Sequence, residues 1–254
     1  MIDDIKQIKD VARALNHLNF QKMDNIYVNL IAIFSERNEA LINSAIRLEK
    51  IESTEEITGN IILLNFILRD MIENIEILSW LKLKNDNVYH KIGEKEYKEF
   101  ISKLLGDEKI HPYKFSNNNK NLKYILENLY GSLNLNDDFD KIIVIKKEVH
   151  NYIHKNGLKY IAPIESLTYD KVLEKYFNKI KFIFKFYFKI VFLLDNSCIG
   201  SSDCIDYLDC GMTPPENCQY WVAPIFDEYI INQFDDNDKN WLKNNNNYNM
   251  QFNF

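Results

Sequence analysis

Residues 61–81 read IILLNFILRDMIENIEILSWL. Together with Ile57, the apolar residues Ile61, Leu64, Leu68, Ile72 and Ile75 recur at steps of three and four, the period of a helix with one buried face. Asn65, Arg69 and Glu73 stand four apart within the same run and therefore line up along the helix as a polar stripe. Just upstream, Ser53-Thr54-Glu55-Glu56 fits a capping box, Ser followed three residues later by Glu. The spacing predicts one long helix from that cap to about Lys84, with Gly59 early enough in it to be tolerated.

The same period organises the rest of the chain. A first helix is expected over 3–18, with Ile5, Ile8, Ala12 and Leu15 inward. A second is expected from about Asp24 to Lys50, with Ile26, Leu30, Ile33, Leu41 and Ile46 inward. Shorter helices are expected near 95–105 and 122–130, within a looser connection from Asn85 to Asp140. Residues 142–157, IIVIKKEVHNYIHKNG, predict a helix begun by Asp138 or Asp140 and closed by Asn156-Gly157. It carries His150 and His154 on one side, four apart. A further helix is expected from Tyr169 to Leu194, past Pro163. After the irregular stretch 197–221, with one short turn across Asp203–Leu208, Pro224 opens a last helix to about Phe234. The tail from Lys243 is expected to be mobile. Seven Gly and five Pro in 254 residues are too few for the many turns of an all-β fold. The fold class is all-α: a multi-helix bundle over 1–195. Residues 196–254 add an irregular Cys-containing segment and the C-terminal helix, packed on the same domain.

A formal charge of -6 argues against a protein that coats nucleic acid through its overall charge. Only Arg13, Arg37, Arg47 and Arg69 are arginines, so an Arg set into the apolar run at 61–81 is informative: it stays charged and offers a planar fork of donors. The N-terminus MIDDIKQIKD lacks an apolar signal region. The most apolar stretch, Lys179–Leu194, holds four lysines, each costing roughly 2.5–3.5 kcal/mol at a bilayer centre. Lys181, Lys185 and Lys189 fall on one stripe, read as a solvated or ligand-facing edge, and no membrane association is expected. Location is read as cytoplasmic with reduced thiols. Cys198, Cys204, Cys210 and Cys218 lack the close C-x2-4-C pairing of structural zinc sites and read as free thiols. Asp203, Asp206 and Asp209 read as a helix start. No Gly-rich phosphate loop, Rossmann fingerprint, GxSxG elbow or CxxC motif occurs, and no cofactor or metal is expected.

The chemistry therefore rests on two polar stripes. Arg69 and Glu73 are either a register-setting ion pair or a phosphate-binding guanidinium with its orienting carboxylate, with Asn65 extending the line toward a substrate. His150 and His154 are structural, or an acid/base pair titrating near neutrality, or two ligands of a metal site with no evident third. Lys147 shares their neighbourhood and adds positive charge for a substrate. Lysines 171, 175, 181, 185 and 189, interleaved with phenylalanines, can track a nucleic-acid backbone or form a solvated face.

FILRDMIENIEILSWL at 66–81, followed by EVHNYIHKNG at 148–157, resembles the all-helical bacterial proteins of the HEPN family (higher eukaryotes and prokaryotes nucleotide-binding) over roughly residues 25–195. The resemblance implies a metal-independent endoribonuclease of the host-defence or toxin kind, acting on RNA as a homodimer. Arg69, Glu73, His150 and His154 would then be catalytic, with Asn65 and Lys147 binding substrate. The family's R-x4-6-H motif has no counterpart here: Lys146 and Lys147 occupy that region, and Arg69 lies on a different helix. The alternative is a non-catalytic helical interaction or sensor module in a defence complex.

Overall fold

The computed structural model describes residues 1–19, 26–50, 57–85, 134–154, 168–201, 207, 210–213, 222–246 and 250–254. Seven α-helices run through them: α1 Ile2–Asn19, α2 Ile26–Arg47, α3 Ile57–Asn85, α4 Asn136–Ile153, α5 Tyr169–Leu194, α6 Pro224–Gln233 and α7 Asp236–Asn244. Two short 3-10 turns, Leu48–Lys50 and Asn196–Ile199, follow α2 and α5. Among the described residues no strand forms beyond an isolated bridge between Gly200 and Val222. No described helix is long and apolar enough to cross a membrane. The capping box, the helices expected near 95–105 and 122–130, the Asn156-Gly157 cap and Pro163 lie outside the described residues, as do Cys204, Cys218 and Asp203, Asp206 and Asp209.

The chain divides into two compact units: Met1–Leu78 with Ile142–Phe254, and Ser79–Lys141. In the smaller unit, Leu135 and Phe139 are buried one turn apart and joined by a backbone bond from Phe139 N to Leu135 O at 3.0 Å.

The larger unit is built around α5. Its apolar residues come so densely that fifteen positions from Val172 to Leu193 are buried, six of them Phe or Tyr at less than 2 % exposure. A helix enclosed to that degree must find a partner for every polar group it buries, and the buried Tyr176, Tyr187 and Lys189 of α5 each have one. Tyr187 shares a hydroxyl hydrogen bond with Ser35 of α2 at 2.7 Å, and Tyr176 accepts from Asn65 of α3 at 2.6 Å. Lys179 pairs with Glu148 of α4 at 2.5 Å, and Lys181 pairs with Asp4 of α1 at 2.7 Å. Phe184 and Phe188 pack against Tyr229 of α6, ring centres 5.9 and 5.3 Å apart.

α1 buries Ile5, Ile8, Ala12 and Leu15, and α3 buries Ile61, Leu64, Leu68, Ile72 and Ile75, the faces the sequence predicts. The α2 face differs. Leu30 is buried as expected, but Ile33 is 51 % exposed and Leu41 and Ile46 are half-buried, and the inward stripe continues through Ile31, Phe34, Ser35, Asn38, Ile42 and Ala45. Two polar residues sit at the centre of that stripe, Ser35 on Tyr187 and Asn38 on Asn74, so hydrophobicity points to the wrong side.

The C-terminus also departs from expectation. α7 forms because Asp235 caps it, accepting from Asp238 N at 2.9 Å, with Asp236 and Asp238 at its positive end. The tail is not loose where it is described. Val222 N donates to Gln251 O at 3.3 Å, Asn253 donates to Asp227 at 2.8 Å, and Lys243 reaches the Phe254 carbonyl at 2.6 Å. Nor is the lysine stripe solvated. Asp238 of α7 accepts from Lys185 at 2.6 Å and from Lys189 at 2.5 Å, and Lys189 is 2 % exposed, its ammonium also over the Trp241 ring.

Burial alone would push the Asp238 carboxyl up. The two lysine hydrogen bonds outweigh it and hold the group below the usual aspartate range. Asp238→Asn is expected to cost about 3 kcal/mol, the penalty for breaking a buried ion pair, read as a lower urea midpoint. Because the folded pKa is depressed, this pair stabilises above the unfolded value and its contribution is lost as pH falls below about 4. The variant should flatten that acid limb of the stability profile.

Candidate functional site

α3 presents its second face to solvent. Successive residues turn by about 100°, so Ile62, Phe66, Arg69 and Glu73 fall on one line; Ile62 and Phe66 are 42 and 47 % exposed, and Arg69 and Glu73 are half-exposed. Arg69 Nε donates to Glu73 at 2.8 Å. On one flank α2 contributes Arg37, whose guanidinium takes Asp70 with two bonds of 2.5 Å, the bidentate fork that Lys cannot make. On the other flank α4 contributes Lys146, bound to Glu76.

His150 and His154 close the α4 flank. Both are exposed, their ring centres lie 4.3 Å apart with planes tilted by 47°, and His154 N donates to His150 O at 3.0 Å, which keeps the last turn intact. Partial burial, then the charges of His154, Arg69 and Lys146, hold the His150 imidazole below the usual histidine range. The positive charge of Arg69 is thus felt at His150 although the two residues stand on different helices.

Of the residues singled out from the sequence, Arg69, Glu73, His150 and His154 share this surface, and Lys147 is exposed beside the histidines on α4. Asn65 does not join them. It is 3 % exposed, and its amide donates to Ile61 O at 2.8 Å and to the Tyr176 hydroxyl at 2.6 Å. Burial pushes the Tyr176 phenol up, so it stays protonated and the bond holds α3 against α5. Arg37, Asp70, Glu76 and Phe66 belong to the surface and were not anticipated. A signal for Glu76 existed: it follows Glu73 by three residues and so continues the same helix edge.

Three cations meet three carboxylates: Arg37 with Asp70, Arg69 with Glu73, Lys146 with Glu76. The Arg69–Glu73 pair, half-exposed on both sides, contributes roughly 0–1 kcal/mol, so a phosphate can displace it at little cost. Among the described residues no group of three or more His, Cys, Asp or Glu is arranged to hold a metal ion. Cys198 is buried and Cys210 exposed, neither of them in a disulfide.

Comparison with known protein families, with characterised proteins and with solved structures finds no match to this chain.

Arg69→Gln removes one of the charges acting on His150 and leaves Glu73 unpaired. Both changes favour the imidazolium, so the His150 pKa, followed by its ring-proton shifts in NMR, should rise toward the usual value. An unmoved titration would mean that Arg69 and His150 do not communicate.

Proposed function

We propose that the α3–α4 surface is an RNA-cleaving site that works without a metal, in a protein of the host-defence or toxin kind. The observation that carries this reading is the exposed His150–His154 pair beside Arg69. His150, whose imidazole is held below the usual histidine range, takes the proton from a ribose 2′-hydroxyl as the general base. The 2′-oxygen attacks phosphorus, and the bond from phosphorus to the 5′-oxygen breaks. His154, as the general acid, delivers a proton to that leaving oxygen. One proton leaves the RNA and one returns, giving a 2′,3′-cyclic phosphate and a 5′-hydroxyl. Arg69 exchanges Glu73 for the non-bridging oxygens and stabilises their developing charge; Glu73 is its positioning residue. Lys147 holds a neighbouring phosphate. Asn65, with its amide hydrogens already donated, takes no part.

A second reading has its own support. Among the described residues, every cation on the face other than the histidines and Lys147 is matched by a carboxylate, and Ile62 and Phe66 stand exposed among them. A balanced, partly apolar face suits a helical interaction module in a defence complex.

Purified protein incubated with total RNA and tRNA separates the two. The nuclease reading expects cleavage that EDTA does not affect, cyclic phosphate termini, and loss of about 10²-fold or more in the His150→Ala/His154→Ala variant. Its acid limb should lie below the usual histidine range and shift upward in Arg69→Gln, following the His150 pKa. Cleavage blocked by EDTA, or surviving in the double variant, would sink it. Silence in every lane, with a specific protein partner retained, would favour the interaction module.

A further inference from the structure

His150 and His154 have a second capability, set by geometry. An imidazole binds a divalent transition ion end-on at about 2.0–2.1 Å. The ring centre then lies about 3.3 Å from the ion, so two rings sharing one ion have centres about 4.7 Å apart at a right angle and about 5.4 Å apart at a tetrahedral one. The observed separation is 4.3 Å, on two exposed side chains. Closing a difference of about 1 Å or less needs only small side-chain rotations of the kind exposed residues make. The backbone bond from His154 N to His150 O keeps the turn closed, so the chain need not move.

The surroundings permit a cation. Arg69 and Lys146 face the pair and oppose it, but Glu73 and Glu76 from α3 neutralise them at hydrogen-bond range. An ion also requires the neutral imidazole, so it competes with protons for both rings. With no third protein ligand in place among the described residues, water would fill the remaining positions. That makes the site an exchangeable one, selective for ions that favour imidazole, such as Zn²⁺, Ni²⁺ and Cu²⁺, over Mg²⁺ or Ca²⁺.

We propose that His150 and His154 form a two-histidine site for a divalent transition-metal ion, and that filling it silences the acid/base pair. The second half rests on the nuclease reading; the first does not.

The test uses the full chain without an affinity tag. Ni²⁺ titrated by calorimetry should bind at one saturable site per chain, with Mg²⁺ giving no heat, and Cu²⁺ should broaden the His150 and His154 ring signals before those of His17. His154→Ala, at an exposed helix end, should weaken Ni²⁺ binding by roughly tenfold or more, since loss of even a supporting group commonly costs that much. His150→Gln, which keeps a polar side chain, guards against a folding defect and should do the same. Absence of saturable binding, or binding unchanged in both variants, would overturn the site. For the second half, Zn²⁺ should suppress RNA cleavage and EDTA should restore it. Cleavage that persists at saturating Zn²⁺ would overturn the silencing, whereas intact binding in a protein that never cleaves RNA would count against the nuclease reading and leave the site standing.

Discussion

The buried side of a helix has no solvent to satisfy its polar groups, and this constraint on α5 arranges the larger unit. Six other helices answer it. Asp4 on α1, Ser35 on α2, Asn65 on α3, Glu148 on α4 and Asp238 on α7 each meet one of its hydroxyls or ammoniums, and Tyr229 on α6 meets its aromatic rings. Hydrophobic burial supplies most of the driving force, but it is nondirectional. The polar matches fix rotation and register, because a helix turned by one residue would strand a charge in the core.

The same requirement shapes the functional face. Asn65 is drawn inward to Tyr176, which leaves Arg69 and Glu73 as the outward remainder of a stripe that looks continuous in sequence. Asp70 and Glu76, on either edge of α3, then tie it to α2 and α4. The buried Ile142, Ile145 and Val149 hold α4 in place, with Lys146 on Glu76 and Glu148 on Lys179, where Arg69 acts on His150. The face is thus a by-product of packing that carries groups suited to chemistry.

Much of this was legible in the sequence. Apolar residues at helical spacing gave α1, α3 and α5 with nearly their observed ends, since those helices bury mostly carbon. α2 misled because its inward stripe is centred on Ser35 and Asn38, whose partners come from α5 and α3 and have no local signature. α7 was missed because it is polar, although Asp235 with Asp236 and Asp238 spells a helix start. Once α7 was missing, Lys185 and Lys189 had no visible carboxylate and read as a solvated edge. The four-residue spacing of His150 and His154 correctly placed them together, while their proximity to Arg69 depends on a tertiary contact that no spacing rule contains.

The pairing of α1 with α6 has a consequence for how the chain reaches this state. Gln233 donates to Gln7 across 226 residues of sequence. At translation rates of roughly 5–20 residues per second, α1 leaves the ribosome some 10–45 s before the helix that completes its cover. α2, its immediate successor, packs along it and salt-bridges it through Arg13 and Glu39. An early α1–α2 hairpin can therefore shield Ile5, Ile8 and Leu15 while the rest is made, and final closure waits on contacts of very high order. A ribosome stalled before α6 would leave that hairpin half covered, a natural substrate for chaperones.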